Sequence, residues 1–200
     1  MPRYSRKQKA ALDALMRDDV YRHALEIIEA EGLPGLTLDR LAKAIGVSRA
    51  TLYNYFDDRD AIVNFVEERT FAPLLDAMER IADGEATPAA KLEAMAVEVF
   101  DGVYENRAFV LAVSPEKHAP ANWEKQYERR RQGLRTVERV VQEGVRSGVF
   151  RKLPTEIVAE IFVGAIGGFI DTMVYSGDFR TSDEIAPLIM DTLLCGLKAS

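Results

Sequence analysis

Apolar residues recur at intervals of three and four along almost the whole chain, with Gly and Pro as punctuation, and this period predicts an all-α protein. Ala24, Leu25, Ile27 and Ile28 form a stripe within Val20 to Glu31, which Gly32 and Pro34-Gly35 end. Leu38, Leu41, Ala42 and Ile45 then fall at i, i+3, i+4 and i+7 of a short second helix. Thr37 precedes it, with a hydroxyl able to accept from a backbone N–H left unpaired at the helix start. Gly46 stands where the helix end needs a residue tolerant of positive φ, and Ser48 caps again two residues later. A third helix is predicted from Arg49 to Phe56, with Leu52 and Phe56 facing inward and Val47 packing from the turn. Two short helices joined by so tight a turn must cross steeply, so residues 37–56 predict a helix-turn-helix.

The pattern beyond it predicts a larger helical body. Asp58 or Asp60 can cap a long helix carrying Ile62, Val63, Phe65, Val66, Leu74, Leu75, Met78 and Ile81, which Pro73 is expected to kink or interrupt. Thr87 caps a helix from Pro88 to about Glu105, and a short apolar segment, Phe109 to Val113, stops at Ser114-Pro115. A charged helix is predicted from about Ala121 to Ser147. Its Arg129, Arg130 and Arg131 lie at helical spacings from Glu124, Glu128 and Glu138 and read as a solvated, paired face. Pro154 opens the next helix, which from Val158 to Val174 is apolar on all sides and so calls for burial all round, one side being covered by a second subunit. Gly164 and Gly168, with Gly167 between them, would permit close helix approach. The last helix, Ser182 to Leu197, carries Ile185, Leu188, Ile189, Leu193, Leu194 and Leu197. The two together predict a four-helix interface across a two-fold axis, with Gly164, Gly168, Phe169, Ile189 and Leu193 in it. Residues 1–19 precede the strong pattern. They form a basic arm, weakly helical through Ala11, Leu12, Leu15 and Met16, that either docks on the surface or reaches a phosphate or minor groove.

Composition changes this picture in one respect. Hydrophobic residues at 48% and charged residues at 29% are those of an ordinary soluble protein, but the net charge is −6, which argues against nucleic acid if spread evenly. It is not spread evenly. Residues 1–60 hold ten Lys/Arg and ten Asp/Glu, and Arg3, Arg6, Lys7 and Lys9 begin the chain without an acid, so the deficit lies wholly in the remainder. A neutral end with a basic arm on an acidic body suits a protein that grips DNA from one end. One cysteine, Cys195, excludes an intrachain disulfide framework and, set among leucines, reads as a small buried apolar residue. No apolar core follows the basic start, so no signal peptide is expected, and the longest uncharged stretch, Ile161 to Ile170, is too short to span a bilayer. A cytoplasmic location without membrane association is expected.

The third helix carries the candidate chemistry. Arg49 can bond guanine bidentately, Asn54 can bond adenine, and the Thr51 methyl can touch thymine. No acid lies between Arg49 and Phe56 to repel phosphate. The residues Glu29-Ala30-Glu31-Gly32, Leu36-Thr37-Leu38, Leu41-Ala42, Gly46-Val47-Ser48 and Thr51-Leu52-Tyr53-x-Tyr55-Phe56 resemble, in order and spacing, the DNA-binding domain of TetR-family regulators over Val20 to Val66. The resemblance implies an all-α fold: a three-helix helix-turn-helix domain at 20–66, followed by a helical effector-binding and dimerisation domain at 67–200. It implies that Arg49, Ala50, Thr51 and Asn54 lie against base edges of double-stranded operator DNA. Thr37, Tyr53, Tyr55 and Arg59 would hold phosphates. Position 59, usually lysine in the family, is arginine here, crowded by Asp57, Asp58 and Asp60.

The same resemblance implies a homodimer and an effector cavity in the body. Phe100, Tyr104, Phe109, Trp123, Tyr127 and Phe162 are the candidate lining, and Tyr104, Trp123 and Tyr127 combine aromatic surface with hydrogen-bonding capacity, so a small, largely apolar effector is expected. The alternative is a DNA-binding protein of the same fold whose body recruits a protein partner without a small effector. An enzyme is not expected. His23 and His118 stand apart with no ligand at i+4, and no nucleophile elbow or phosphate loop occurs, so no metal or other cofactor is expected.

Overall fold

The structure, a computed structural model, describes residues 5–113 and 123–197, the side chains of 123–126 and residue 196 excepted. The described residues form nine helices and divide into two compact units, Met1–Thr70 and Phe71–Ser200, so the boundary lies four residues beyond the one expected at 66/67.

The first unit holds α1 (Arg6–Gly35), α2 (Leu38–Ile45), α3 (Arg49–Tyr53) and the start of α4 (Arg59–Asp83). Helix α1 begins well before Val20, so from Arg6 onward the expected arm is the first half of a helix. Its start is fixed by Ser5, whose hydroxyl accepts from the Gln8 amide at 3.3 Å while its own amide donates to Gln8 Oε1 at 2.8 Å. Packing holds the extension in place. Arg17 stacks over Phe56 and Phe65 at 5.9 and 5.5 Å, those rings lie 5.2 Å apart, and Asp18 pairs with Arg69, which also stacks over Tyr21. Gly32 breaks the helix at φ 69°, a conformation that favours glycine, and Leu33-Pro34-Gly35 turn the chain toward α2. Val20, Ala24, Leu36, Leu41, Leu52, Ile62 and Val66 are fully buried, so the stripes read from the sequence meet in one core. Asp58 is the carboxylate that caps α4, accepting from the Ala61 amide at 2.7 Å, and Pro73 does not interrupt that helix.

The second unit contains the rest of α4 with α5 (Pro88–Glu105), α6 (Arg107–Ala112), α7 (Trp123–Arg146), α8 (Thr155–Ser176) and α9 (Ser182–Leu197). Helix α7 packs chiefly on α8 and α5 on α9, around a core that includes Leu92, Met95, Phe100, Val137, Val141, Ala159 and Ile185. Lys91 is buried in it but reaches Glu143 at 2.8 Å, so the charge is not left unpaired. A side chain at Gly144 would overlap the Phe150 ring, which fixes the turn after α7.

Helix α8 is buried on one side only. Val158, Ala159, Phe162, Ile166 and Met173 face the core, whereas Ile157 and Ile161 are 53% and 54% exposed and Phe169 and Tyr175 are exposed with them. By length and composition α8 could cross a membrane. Its exposed Glu160 and Asp171 correct the expectation that Val158–Val174 is apolar on all sides; with Glu156 and the packing on α7 they are those of a helix that shares a protein core. Cys195 corrects the sequence reading: it is exposed, because it shares a face of α9 with Leu188, Asp191 and Thr192, opposite the core-facing Ile185, Ile189 and Met190.

Candidate nucleic-acid interface and body cavity

The reading head is built by three local bonds. Thr37 Oγ1 accepts from the Arg40 amide at 3.2 Å and starts α2. Gly46, at φ 81°, ends α2 in the left-handed region and lets the Gly46 and Val47 amides both return to the Ala42 carbonyl. Ser48 Oγ then accepts from the Thr51 amide at 3.0 Å and starts α3. Arg40 on α2 forms a two-pronged ion pair with Glu31 at the end of α1, which pins the hairpin to its support. Helix α3 is shorter than the Arg49–Phe56 expectation. It ends at Tyr53, Asn54 caps it, and Tyr55 and Phe56 turn back so that Phe56 enters the core.

Arg49, Ala50, Tyr53 and Asn54 are exposed together on this unit, with Thr37 exposed at the start of α2. Thr51 is half-buried, its hydroxyl 2.8 Å from Ser48 Oγ. The Arg49 side chain is already extended and held. It donates to Asp39 and to the Tyr53 hydroxyl, each at 3.1 Å, and lies over the Tyr53 ring at 5.4 Å. The Tyr53 hydroxyl and the Asp39 charge raise the Arg49 pKa above its already high ordinary value, so the cation is permanent.

Two expected phosphate ligands are engaged elsewhere. The Tyr55 hydroxyl donates to Asp13 on α1 at 2.8 Å, and Arg59 donates to the Leu33 carbonyl at 2.7 Å, with its Nε buried and unbonded. Tyr55 therefore ties the end of the hairpin to α1, and Arg59 ties the start of α4 to the end of α1. The hydrogen bond to Asp13, with burial adding to it, raises the Tyr55 pKa above the ordinary 10.0. The sign follows: stability from this bond is complete below pH 10.0 and is lost as pH rises through the folded value. Tyr55→Phe should cost about 1–2 kcal/mol in denaturant unfolding at pH 7 and should flatten the alkaline limb of the stability curve. An unchanged alkaline limb would mean that the bond contributes nothing.

The second unit holds a cavity of about 380 Å³ between α4, α5, α6, α7 and α8. Of the five aromatic candidates whose side chains are described, Phe162 alone lines it. Phe100 and Phe109 are packed solid in the core, Tyr104 and Tyr127 lie on the surface, and the Trp123 side chain falls outside the described residues. The correction has a steric cause. The largest rings fill space, while the cavity is left where smaller neighbours such as Val99, Val103, Val110 and Gly133 stand. Arg129 and Arg130 also line it, and Arg131 sits in the expected surface ion pair, with Glu128 at 3.6 Å. The signal that could have found them is spacing: Arg129 and Arg130 lie four and three residues before the buried Gly133, which brings the half-buried Arg129 and the exposed Arg130 to the edge of the cavity.

The expected dimer residues are divided between two environments. Gly164 and Gly168 open onto empty space and Phe169 is 44% exposed, beside Ile157 and Ile161. Leu193 is half-buried, but Ile189 is buried in this chain's own core, and Leu188 occupies the outer position instead.

Comparison with known proteins connects both units to one family. Residues 20–66 match the family model described as bacterial regulatory proteins, tetR family, and residues 85–197 match the tetracyclin repressor-like C-terminal domain. The HTH-type transcriptional repressor DrrR1 of Streptomyces coeruleorubidus is 31% identical over 110 residues, 54% of this chain and 39% of that protein, so the chain matches well under half of that relative's length. Among solved structures, FadR of Bacillus subtilis in complex with stearoyl-CoA superposes with TM-score 0.75 at 20% identity, over 89% of this chain and 97% of that one. SmeT, the repressor of a Stenotrophomonas maltophilia multidrug efflux pump, gives TM-score 0.75 at 18% identity over 92% and 91%. At these identities the two superpositions speak to the fold alone.

Proposed function

The chain belongs to the TetR family of transcriptional regulators, and on that footing we propose that it is a homodimeric repressor, released from a near-palindromic operator by a small, largely apolar effector. The observation that carries the DNA reading is the open face of α3, where Arg49 stands extended beside Tyr53 with Ala50 and Asn54 exposed. Nothing in that constellation serves acid–base or nucleophilic chemistry, and the reading is of a binding protein that works on DNA in the cytoplasm rather than of an enzyme. The apolar cavity supports an effector, and FadR, which shares this fold, was solved in complex with stearoyl-CoA, a ligand with a long apolar chain. The repressor names of DrrR1 and SmeT support the sign of regulation.

Base reading falls to Arg49, Ala50, Thr51 and Asn54, and phosphate contact to Thr37 and Tyr53. Tyr55 and Arg59 reach phosphate only by exchanging the Asp13 and Leu33 bonds for it. The test begins by selecting bound sequences from random duplex DNA, which should yield two half-sites about one helical turn apart or a multiple of it. Against that operator, Arg49→Ala and Asn54→Ala should each cost ~1–3 kcal/mol, with a smaller loss on random DNA. Thr37→Ala should weaken both DNAs alike, because phosphates carry no sequence. An Arg49→Ala protein with an unchanged ratio of specific to random affinity would remove that residue from base reading.

A further inference from the structure

The cavity in the Phe71–Ser200 unit has a lopsided chemistry, and the inference drawn from it rests on the effector reading above. Among the described residues its walls are Leu, Val, Ile, Met, Phe and Gly, and the lining side chains able to hydrogen-bond are the guanidiniums of Arg129 and Arg130. No Asp, Glu, Ser, Thr, Asn, Gln, Tyr or His is among those described lining residues. Arg131 spends its charge on Glu128, and Arg129 lies over the Phe71 ring at 5.4 Å. Arg130 is different. Among the described residues it makes no hydrogen bond or ion pair, although it is one of three consecutive arginines on a helix with acids nearby. It is exposed, which places it at the rim, and it crosses α8 at Gly167, where a Cβ would stand 3.4 Å from its Nη1. A larger residue there would crowd the guanidinium away from the cavity.

We propose that the effector is an amphipathic anion, whose apolar chain or ring fills the cavity and whose single carboxylate is held at the rim by Arg130, with Arg129 beside it. Each competing class fails on the same walls. A neutral polar molecule would bury hydrogen-bonding groups against hydrocarbon with nothing to receive them. A cation would meet two guanidiniums and, among the described lining residues, no acid. A wholly apolar molecule fits the walls but gains nothing from the arginines, whereas a carboxylate matches the planar guanidinium fork. The volume, about 380 Å³, lies low in the ~300–1,000 Å³ range of small-molecule sites, which suits one chain or a small ring system.

Calorimetry on the full chain with decanoate and its neutral counterpart decanol tests the assignment. Decanoate should bind about tenfold tighter than decanol, or ~1.4 kcal/mol. Arg130→Gln, a change at an exposed site that leaves the fold intact, should abolish that preference and leave decanol binding unchanged. Because Arg130 faces solvent, added salt should shrink the preference too. Octanoate should bind more weakly than decanoate by about fourfold per methylene removed. Val163→Trp, which fills the cavity, should abolish binding of both ligands while circular dichroism stays that of the wild type. Equal affinity for decanoate and decanol, or a preference that survives Arg130→Gln, overturns the anion assignment and leaves an apolar effector standing. Binding of neither ligand to the wild-type chain overturns the anion assignment together with the cavity as an effector site. An Arg130-dependent decanoate complex that stays on operator DNA upholds the anion site and removes its role in release.

Discussion

Replacing Phe169 with Glu should convert the protein from dimer to folded monomer and lower operator affinity by about 10²–10⁴-fold, because two linked reading heads gain that much over one. The choice of residue decides what the experiment can show. Phe169 is 44% exposed on α8, in line with Ile157, Ile161 and the open positions Gly164 and Gly168, so a carboxylate there is hydrated in the monomer and costs its fold little. Pressed against a second copy it would be a buried, unpaired charge, which association cannot absorb. Ile161→Glu should act in the same way. Ile189→Glu would not be informative, since Ile189 is buried in this chain's own core and the substitution would unfold the body. Sedimentation at micromolar concentration should give a wild-type dimer and a Phe169→Glu monomer with equal helicity. A wild-type chain that sediments as a folded monomer would end the dimer proposal and the palindrome with it.

The reading head was legible in the sequence because its determinants are local. A capping hydroxyl at Thr37, a left-handed Gly46 and a second cap at Ser48 act over three or four residues, and all three adopt the expected geometry. The start of α1 was as local and was there to be read, since Ser5 and Gln8 form the reciprocal capping pair that begins a helix. What hid it was that Leu12 and Leu15 make no buried stripe and stay exposed: the turn around Arg17 and Asp18 is held instead by Arg69 on α4 and by the Phe56–Phe65 pair, contacts some forty to fifty residues away in the chain. The cavity was illegible for a different reason. A void is the place where side chains fail to meet, so choosing large aromatics selected the residues that fill the core, Phe100 and Phe109, and passed over Val99, Val110 and Gly133. The arginines misled in the same way, because helical spacing to Glu128 says which pairs are possible but not which arginine turns inward. One-sided burial of α8, by contrast, agrees with the sequence argument that part of this helix awaits another surface.

Saturating effector should weaken operator binding by about a hundredfold, and operator DNA should weaken effector binding by the same factor, because a coupling free energy between two sites is reciprocal. The route is the single helix α4. Its first turns contribute Ile62, Val63 and Val66 to the core of the reading head, and its later turns contribute Phe71, Leu74, Leu75 and Met78 to the cavity wall. A ligand that changes how those later turns pack must act on a helix whose other end is fixed in the DNA-binding core. Contact alone does not produce release. The ligand has to bind the arrangement unable to hold DNA better than the competent one, and a hundredfold difference corresponds to ~2.7 kcal/mol per site. A molecule that binds both arrangements equally shifts nothing, however tight it is. Two substitutions separate binding from coupling. Val163→Trp fills the cavity and should remove the response to effector while ligand-free operator affinity stays within about twofold, since residue 163 belongs to the second unit and not to the one that carries the helix-turn-helix. Leu74→Ala opens space against α4 itself, so effector should still bind while its effect on DNA falls, because a looser helix transmits less of the shift. Titrating effector into the free protein and into the operator complex checks the reciprocity directly. Equal effector affinity in the two titrations would show that the cavity and the DNA site are not coupled, whatever the cavity binds.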